Sequence, residues 1–284
     1  MNHLRVREVA LQSYRGVRAL VTGASSGIGR TLALRLAREG AALGLCARRA
    51  DELARVAAEI REAGGRACVL PCDVAERSQV TAAAAAAVEA LGGVDLLVNN
   101  AGYGHHRRFL EWDVADMERV MRVNYLGALY FTKALLPQMV ERGRGWLVFV
   151  ASVAGKLGVP EESAYAASKF AMVGLAEALS LEVEDAGVHV LTVCPGVIRT
   201  PFFDAEALER MPAAARRGMV EPEALCDAIL RALARGEREL TFPRHIALAY
   251  AFRALLPGFL RYQIKRATRG VVAARCPEER TTPS

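Results

Sequence analysis

Short apolar runs alternate with helical stretches along most of the chain, and this rhythm restricts the fold more than any other feature. The apolar runs fall at 17–21, 42–47, 67–70, 94–98, 146–150 and 188–193, and Glu239–Phe242 offers a seventh. Helical spacing fills 28–38, 51–62, 76–91, 117–141 and 163–185. The third of these contains six consecutive alanines, Ala82 to Ala87, which read as a closely packed helix because alanine is the best helix former. Strands buried on both faces read as continuous apolar runs. The repetition therefore predicts an α/β fold: one doubly wound parallel sheet of about seven strands, covered by helices on both faces.

The catalytic unit is expected over 16–243, with an N-terminal extension at 1–15 and an apolar, basic C-terminal extension at 244–284. Its last residues, 276–284, read as disordered. The rhythm breaks at 200–220, where Pro201, Pro212 and Gly218 punctuate a stretch carrying Phe202, Phe203, Met211 and Met219. This stretch is expected to cover a substrate site.

Composition narrows the class. A hydrophobic content of 52% over 284 residues supports a sizeable core. The six cysteines, Cys46, Cys68, Cys72, Cys194, Cys226 and Cys276, form no Cys-x-x-Cys pair and read as reduced thiols of a cytoplasmic protein. His105 and His106 lack a third ligand at metal spacing and are expected at the rim of a substrate mouth; no metal is expected. The N-terminus shows no secretory pattern, and no run of about 18 apolar residues suggests a spanning helix. The net charge of +6 suits an anionic cofactor, an acidic carrier protein or a membrane surface. The arginines are scattered and no nucleic-acid motif accompanies them, so nucleic acid is not an expected partner.

Two motifs carry chemistry. Thr22-Gly23-Ala24-Ser25-Ser26-Gly27-Ile28-Gly29 joins the first apolar run to a helix. Glycines there allow a tight turn and let the backbone approach a pyrophosphate, and the helix N-terminus adds N–H donors and partial positive charge. Downstream, Tyr165 and Lys169 stand four apart on a helical stretch, with Ser152 thirteen residues before Tyr165. Side chains four apart share a helix face. A free phenol, with a pKa of about 10, needs help to act as a base near neutrality, and a nearby ammonium favours its ionised form. Tyr165 is thus the expected acid in carbonyl reduction and base in alcohol oxidation, with Lys169 tuning it.

The Gly-x-x-x-Gly-x-Gly spacing together with Tyr165 and Lys169 resembles the short-chain dehydrogenase/reductase family, from about Val17 to Phe242. The resemblance implies a Rossmann-like fold and further roles. Asp73-Val74 would meet the adenine ring. Asn99-Asn100-Ala101-Gly102 would stabilise the sheet beside the cofactor. Pro195-Gly196-Val197-Ile198-Arg199-Thr200 would contact the nicotinamide end. Lys169 would also hold the nicotinamide ribose, Ser152 would hydrogen-bond the substrate oxygen, and Asn124 would hold a water linking Lys169 to solvent. Ser168 reads as a packing residue.

Ala47 occupies the place where an acidic residue would meet the ribose of NAD(H), and Arg48 and Arg49 follow at once. Guanidinium groups suit a phosphate, and Ser25 or Ser26 can add a hydroxyl, so NADP(H) is expected over NAD(H). The expected substrate is an apolar, lipid-like carbonyl or alcohol; the alternatives are a 3-oxoacyl group on a carrier and a non-catalytic NADP(H)-binding regulator. The resemblance implies a homodimer or homotetramer built on the helices at 117–141 and 163–185. The greasy segment 246–260, followed by Arg261, Lys265, Arg266 and Arg269, has two readings. It packs over the pocket or a subunit interface, or it makes peripheral contact with an anionic membrane.

Overall fold

The computed structural model describes residues 10–203 and 205–273. The expected disorder at 276–284, Cys276 and the residues before Ala10 lie outside them. Seven strands form one parallel sheet: β1 (Arg18–Thr22), β2 (Ala42–Ala47), β3 (Arg66–Pro71), β4 (Leu96–Asn99), β5 (Gly145–Val150), β6 (Val188–Pro195) and β7 (Glu239–Phe242). Their order is β3-β2-β1-β4-β5-β6-β7. The direction of winding reverses between β1 and β4, and ligands of such sheets bind beyond the carboxyl ends of the strands at that switch.

The strands sort their side chains to two cores. From β5, Trp146, Val148 and Val150 face one side, and Leu147 and Phe149 the other. Helices α1 (Gly27–Arg38) and α2 (Ala50–Glu62) cover the first face through Leu32, Leu36, Leu53 and Ile60. Leu11 and Tyr14 of the N-terminal extension join this core; Leu11 N–H bonds Leu233 O at 3.0 Å and Tyr14 OH bonds Leu230 O at 3.2 Å. Helix α3 (Arg77–Leu91) covers the second face, burying Ala83, Ala84 and Ala87 of the alanine run, as close packing requires.

The helix expected over 117–141 starts earlier and is not regular. Asp113 caps α4 (Val114–Met121), accepting from Ala115 N at 2.7 Å. A π-helical turn at Arg122–Leu126 then leads into α5 (Gly127–Glu141). The extra residue of a π turn re-aims side chains, and here Asn124 is fully buried. Helix α6 (Ser163–Val183) completes that face through Met172, Ala176 and Leu179.

After β6, α7 (Ala205–Arg210) and α8 (Ala213–Arg217) form the punctuated excursion. Helix α9 (Pro222–Arg235) returns to the first face, burying Leu225, Ile229 and Leu233. The C-terminal extension forms two helices, α10 (Leu248–Leu255) and α11 (Pro257–Ala273).

Candidate active site

The carboxyl ends of the strands open into a cavity of about 910 Å³. The candidate site residues line it except Gly29, Asn99, Asn124 and Arg199; Arg199 instead donates to Glu221 Oε1 at 2.7 Å.

The glycine turn is shaped for close approach. Gly23 has φ +68°, which favours glycine, and a Cβ at Gly29 would lie 2.3 Å from Gly23 O. The turn is fastened to the end of β4 by Thr22, which sequence reasoning left without a role. Its hydroxyl donates to Val98 O at 3.2 Å and accepts from the backbone N–H of Asn100 (2.9 Å) and Ala101 (3.0 Å). The Asn100 amide returns to Thr22 O at 2.9 Å. These bonds hold the two turns in one geometry.

At the end of β2, Ala47, Arg48 and Arg49 face the cavity. Arg49 donates from Nη2 to Ser25 Oγ at 3.1 Å, so the second strand's basic end meets the glycine turn. After β3, burial would raise the Asp73 carboxyl. The Ala75 N–H, 3.0 Å from Oδ1, and the Arg119 guanidinium on Oδ2 outweigh it and hold the group below its ordinary range. Arg119 is a second residue missed from sequence; it lies 46 positions from Asp73, and no local spacing links them.

Ser152, after β5, and Tyr165 and Lys169, on α6, line the same cavity. Ser152 caps a short turn, accepting from Ala154 N at 3.1 Å. Tyr165 is half-buried, and its loss of solvent pushes the phenol well above the ordinary range; a hydrogen bond with Ser152 opposes that, and the nearby Glu162 carboxylate adds to it. Lys169 is 3% exposed, and burial lowers its ammonium to about 8. Its Nζ donates to Val150 O at 2.8 Å and stands 5.7 Å from the Tyr165 ring centre. Burial thus moves the two groups in opposite directions, the phenol up and the ammonium down.

Asn124 is held by Tyr103: Oδ1 accepts from its N–H and Nδ2 donates to its carbonyl, both at 2.9 Å. Nδ2 also donates to Ser168 Oγ at 2.9 Å, and Ser168 donates to Tyr165 O at 2.7 Å. Ser168 thus ties the Asn124 turn to α6.

The remaining wall is apolar and aromatic. Phe202 lies 5.6 Å from the Tyr165 ring and 5.0 Å from Phe203, centre to centre. Val159, Met211 and Pro212 line the same space, as do His105 and His106. His106 Nδ1 is 3.4 Å from Glu162 Oε1. Burial raises the Glu162 carboxyl to about 7. Arg210, at the end of α7, donates to His106 O at 2.8 Å and sits 3.9 Å from the buried Glu161 carboxylate. Glu161 and Glu162 escaped the sequence reading because carboxylates at a helix start usually face water.

Residues 18–210 match the model of the short chain dehydrogenase family. The chain belongs to that family. As a short-chain dehydrogenase/reductase it is an oxidoreductase of CH–OH groups with NAD(P) as acceptor. Among its relatives, "Ketoacyl reductase HetN" of Nostoc is 34% identical over 218 residues, 77% of this chain and 75% of that protein. The "3-ketodihydrosphingosine reductase" of Bos taurus is 37% identical over 230 residues, 78% of this chain and 69% of that protein. A short-chain dehydrogenase/reductase from Burkholderia phymatum in complex with NAD has a TM-score of 0.78 at 31% identity, covering 85% of this chain and 94% of that one. The seven-stranded parallel sheet with flanking and C-terminal helices matches the expected Rossmann-like fold.

Proposed function

We propose that this dehydrogenase/reductase uses NADP(H) in preference to NAD(H) and reduces the carbonyl of an apolar, lipid-like molecule to an alcohol. The cofactor preference is carried by one observation: Arg49 reaches Ser25 over the glycine turn, with Arg48 beside it and Ala47 where a ribose-binding carboxylate would stand. Two guanidinium groups and a hydroxyl suit a 2′-phosphate. The glycine turn, with no room for a Cβ at Gly29, suits a pyrophosphate. Asp73-Val74 and the Asn100–Gly102 turn would hold the adenosine side, and Lys169 with Pro195, Gly196, Val197 and Thr200 the nicotinamide end. When bound, NADPH supplies the hydride.

Tyr165 supplies the proton. Burial keeps its phenol protonated at neutral pH, the form a general acid needs. Ser152 hydrogen-bonds the carbonyl oxygen and stabilises charge developing there. Lys169 orients the ribose and, with Asn124, connects the site to solvent for reprotonation of Tyr165. Phe202, Phe203 and Met211 exclude water and select an apolar body, and 200–220 acts as the lid that closes over it.

The lipid-like character of the substrate gains support from the ketodihydrosphingosine reductase among the relatives. A second reading, reduction of a 3-oxoacyl group on a carrier, is favoured by the ketoacyl reductase and by the net charge of +6. The enzyme is read as a cytoplasmic homodimer or homotetramer. NADPH consumption over ketones of graded apolar size, with Tyr165→Phe alongside, tests the reading. Activity that grows with apolar size and is lost in the variant supports it; NADPH binding with no ketone turned over by the wild type refutes it.

A further inference from the structure

We propose that α10 and α11 dock on an anionic lipid bilayer and that the substrate chamber opens beside this surface, so that a lipid-like carbonyl compound enters from the membrane. The entry step rests on the reductase reading above; the docking does not.

Among the described residues, the two helices present bulky side chains that are half or more exposed. Leu248, Leu255 and Leu256 are 66%, 78% and 53% exposed, and Phe259 and Tyr262 are 50% and 54% exposed. Leu248, Phe252 and Leu255 recur at the i, i+4, i+7 spacing of one helix face, the stripe a soluble helix normally buries. The Phe252 and Phe259 rings lie 5.9 Å apart, so the apolar surface continues across the break at Pro257. Contiguous exposed apolar surface of this kind marks an interaction site.

Charge decides the occupant. From 244 to 273 the chain carries six Lys or Arg residues and no Asp or Glu. Arg261, Lys265 and Arg266 are exposed. A second copy related by a two-fold axis would present the same patch to itself. That would bring like charges together with no carboxylate from this segment to answer them. An anionic headgroup layer satisfies both the apolar stripe and the cations, with tyrosine and phenylalanine at the interfacial depth they favour. Among the described residues, no helix is long and apolar enough to cross a membrane, so the helices would lie along the surface.

The surface is fastened to the chemical end of the domain. Arg253 donates to Lys156 O and sits 5.1 Å from the Phe170 ring centre. Tyr250 shares a 3.4 Å hydrogen bond with Thr241 and takes Lys156 Nζ over its ring at 5.3 Å. His245, Ile246 and Thr268 of the same extension line the cavity that Ser152 and Tyr165 line. An apolar molecule in the bilayer surface therefore has a short path to the chamber.

The test uses the full chain, pelleted with vesicles of phosphatidylcholine alone or with phosphatidylserine. Two variants are compared: Leu248→Asp/Leu255→Asp and Arg261→Glu/Lys265→Glu. Turnover of a water-soluble ketone in buffer reports separately on the catalytic domain; its absence in the wild type counts against the reductase reading and leaves the docking readout intact. The wild type should pellet with the anionic vesicles, bind neutral ones at least tenfold more weakly, and lose binding as salt rises. Each variant should bind at least tenfold more weakly while turning over the soluble ketone normally. Wild type remaining in the supernatant with anionic vesicles, or variants that pellet equally well, would overturn the docking. A Leu248→Asp/Leu255→Asp protein of smaller oligomeric size, from a wild type that ignores vesicles, would assign the face to a second copy and overturn it too. For a ketone dissolved in the vesicles, kcat/KM should fall at least tenfold in both variants; an unchanged value would overturn entry from the membrane.

Discussion

The Lys169 ammonium stands 5.7 Å from the centre of the Tyr165 ring but gives its hydrogen bond to Val150 O, 2.8 Å away. The pair that four-residue spacing presents as a coupled acid and base is thus held with the lysine anchored to the end of β5. Burial drives both groups toward their neutral forms, raising the phenol and lowering the ammonium to about 8. With its titration raised, the Tyr165 phenol carries a proton that it can donate.

Tyr165→Phe should therefore lower kcat for ketone reduction by about 10²–10⁴-fold, the range for loss of a general acid. NADPH affinity, followed by fluorescence titration, should change little, because the ring remains. A variant retaining wild-type kcat would remove Tyr165 from the chemistry.

Arg49→Ala should weaken NADPH binding by about 1.5–3 kcal/mol, the contribution of a hydrogen bond to a charged group. NADH binding should stay within about threefold, since a ribose hydroxyl offers no charge for the guanidinium. Equal losses for the two cofactors would place Arg49 outside the discriminating contact.

Glu162 makes the pH dependence of stability unusual. Its carboxyl rises from 4.5 to about 7 on burial. Over that window the folded protein holds a proton that the unfolded chain has released, so stability is highest below 4.5 and falls as pH rises through 7. After discounting for its 20% side-chain exposure and for His106 alongside, the loss should be about 1–2 kcal/mol. Urea denaturation at pH 5 and pH 8 should show this drop in the wild type and a smaller one in Glu162→Gln. The same variant removes a negative charge near Tyr165, so the alkaline limb of alcohol oxidation should move to lower pH. An identical profile would mean that the charge does not reach the phenol.

Gly29→Ala should abolish NADPH binding in a protein that still folds, or prevent folding outright, because the new Cβ would sit 2.3 Å from Gly23 O and 2.5 Å from Asn100 Nδ2. Both neighbours belong to turns braced by Thr22 and have no room to retreat. Wild-type affinity for NADPH in Gly29→Ala would show that the turn relaxes and that its close approach is not needed.

The sheet was legible because its central strands are buried on both faces, which favours apolar runs such as 42–47 and 146–150. Helix starts and ends followed glycines and prolines to within a few residues. Asn124 shows where this reading stops. The helical pattern over 117–141 is continuous in sequence, and the π turn that sends Asn124 inward is stabilised by Tyr103 and Ser168, 21 and 44 positions away.

The same division runs through the site. The sequence alone determined the alternating α/β framework, the glycine turn, the positions of Ser152, Tyr165 and Lys169, and the basic end of the second strand. Each is a local matter of spacing, backbone freedom or periodicity. Tertiary structure alone decided that Arg49 meets Ser25, that Arg119 holds Asp73, that Glu162 and Arg210 join the chamber wall, and that the Tyr165 phenol is raised. These depend on burial and on contacts between distant segments. Solvent removal shifts a titration by amounts that neither residue type nor spacing encodes, and the sheet's winding order chooses which loop ends converge.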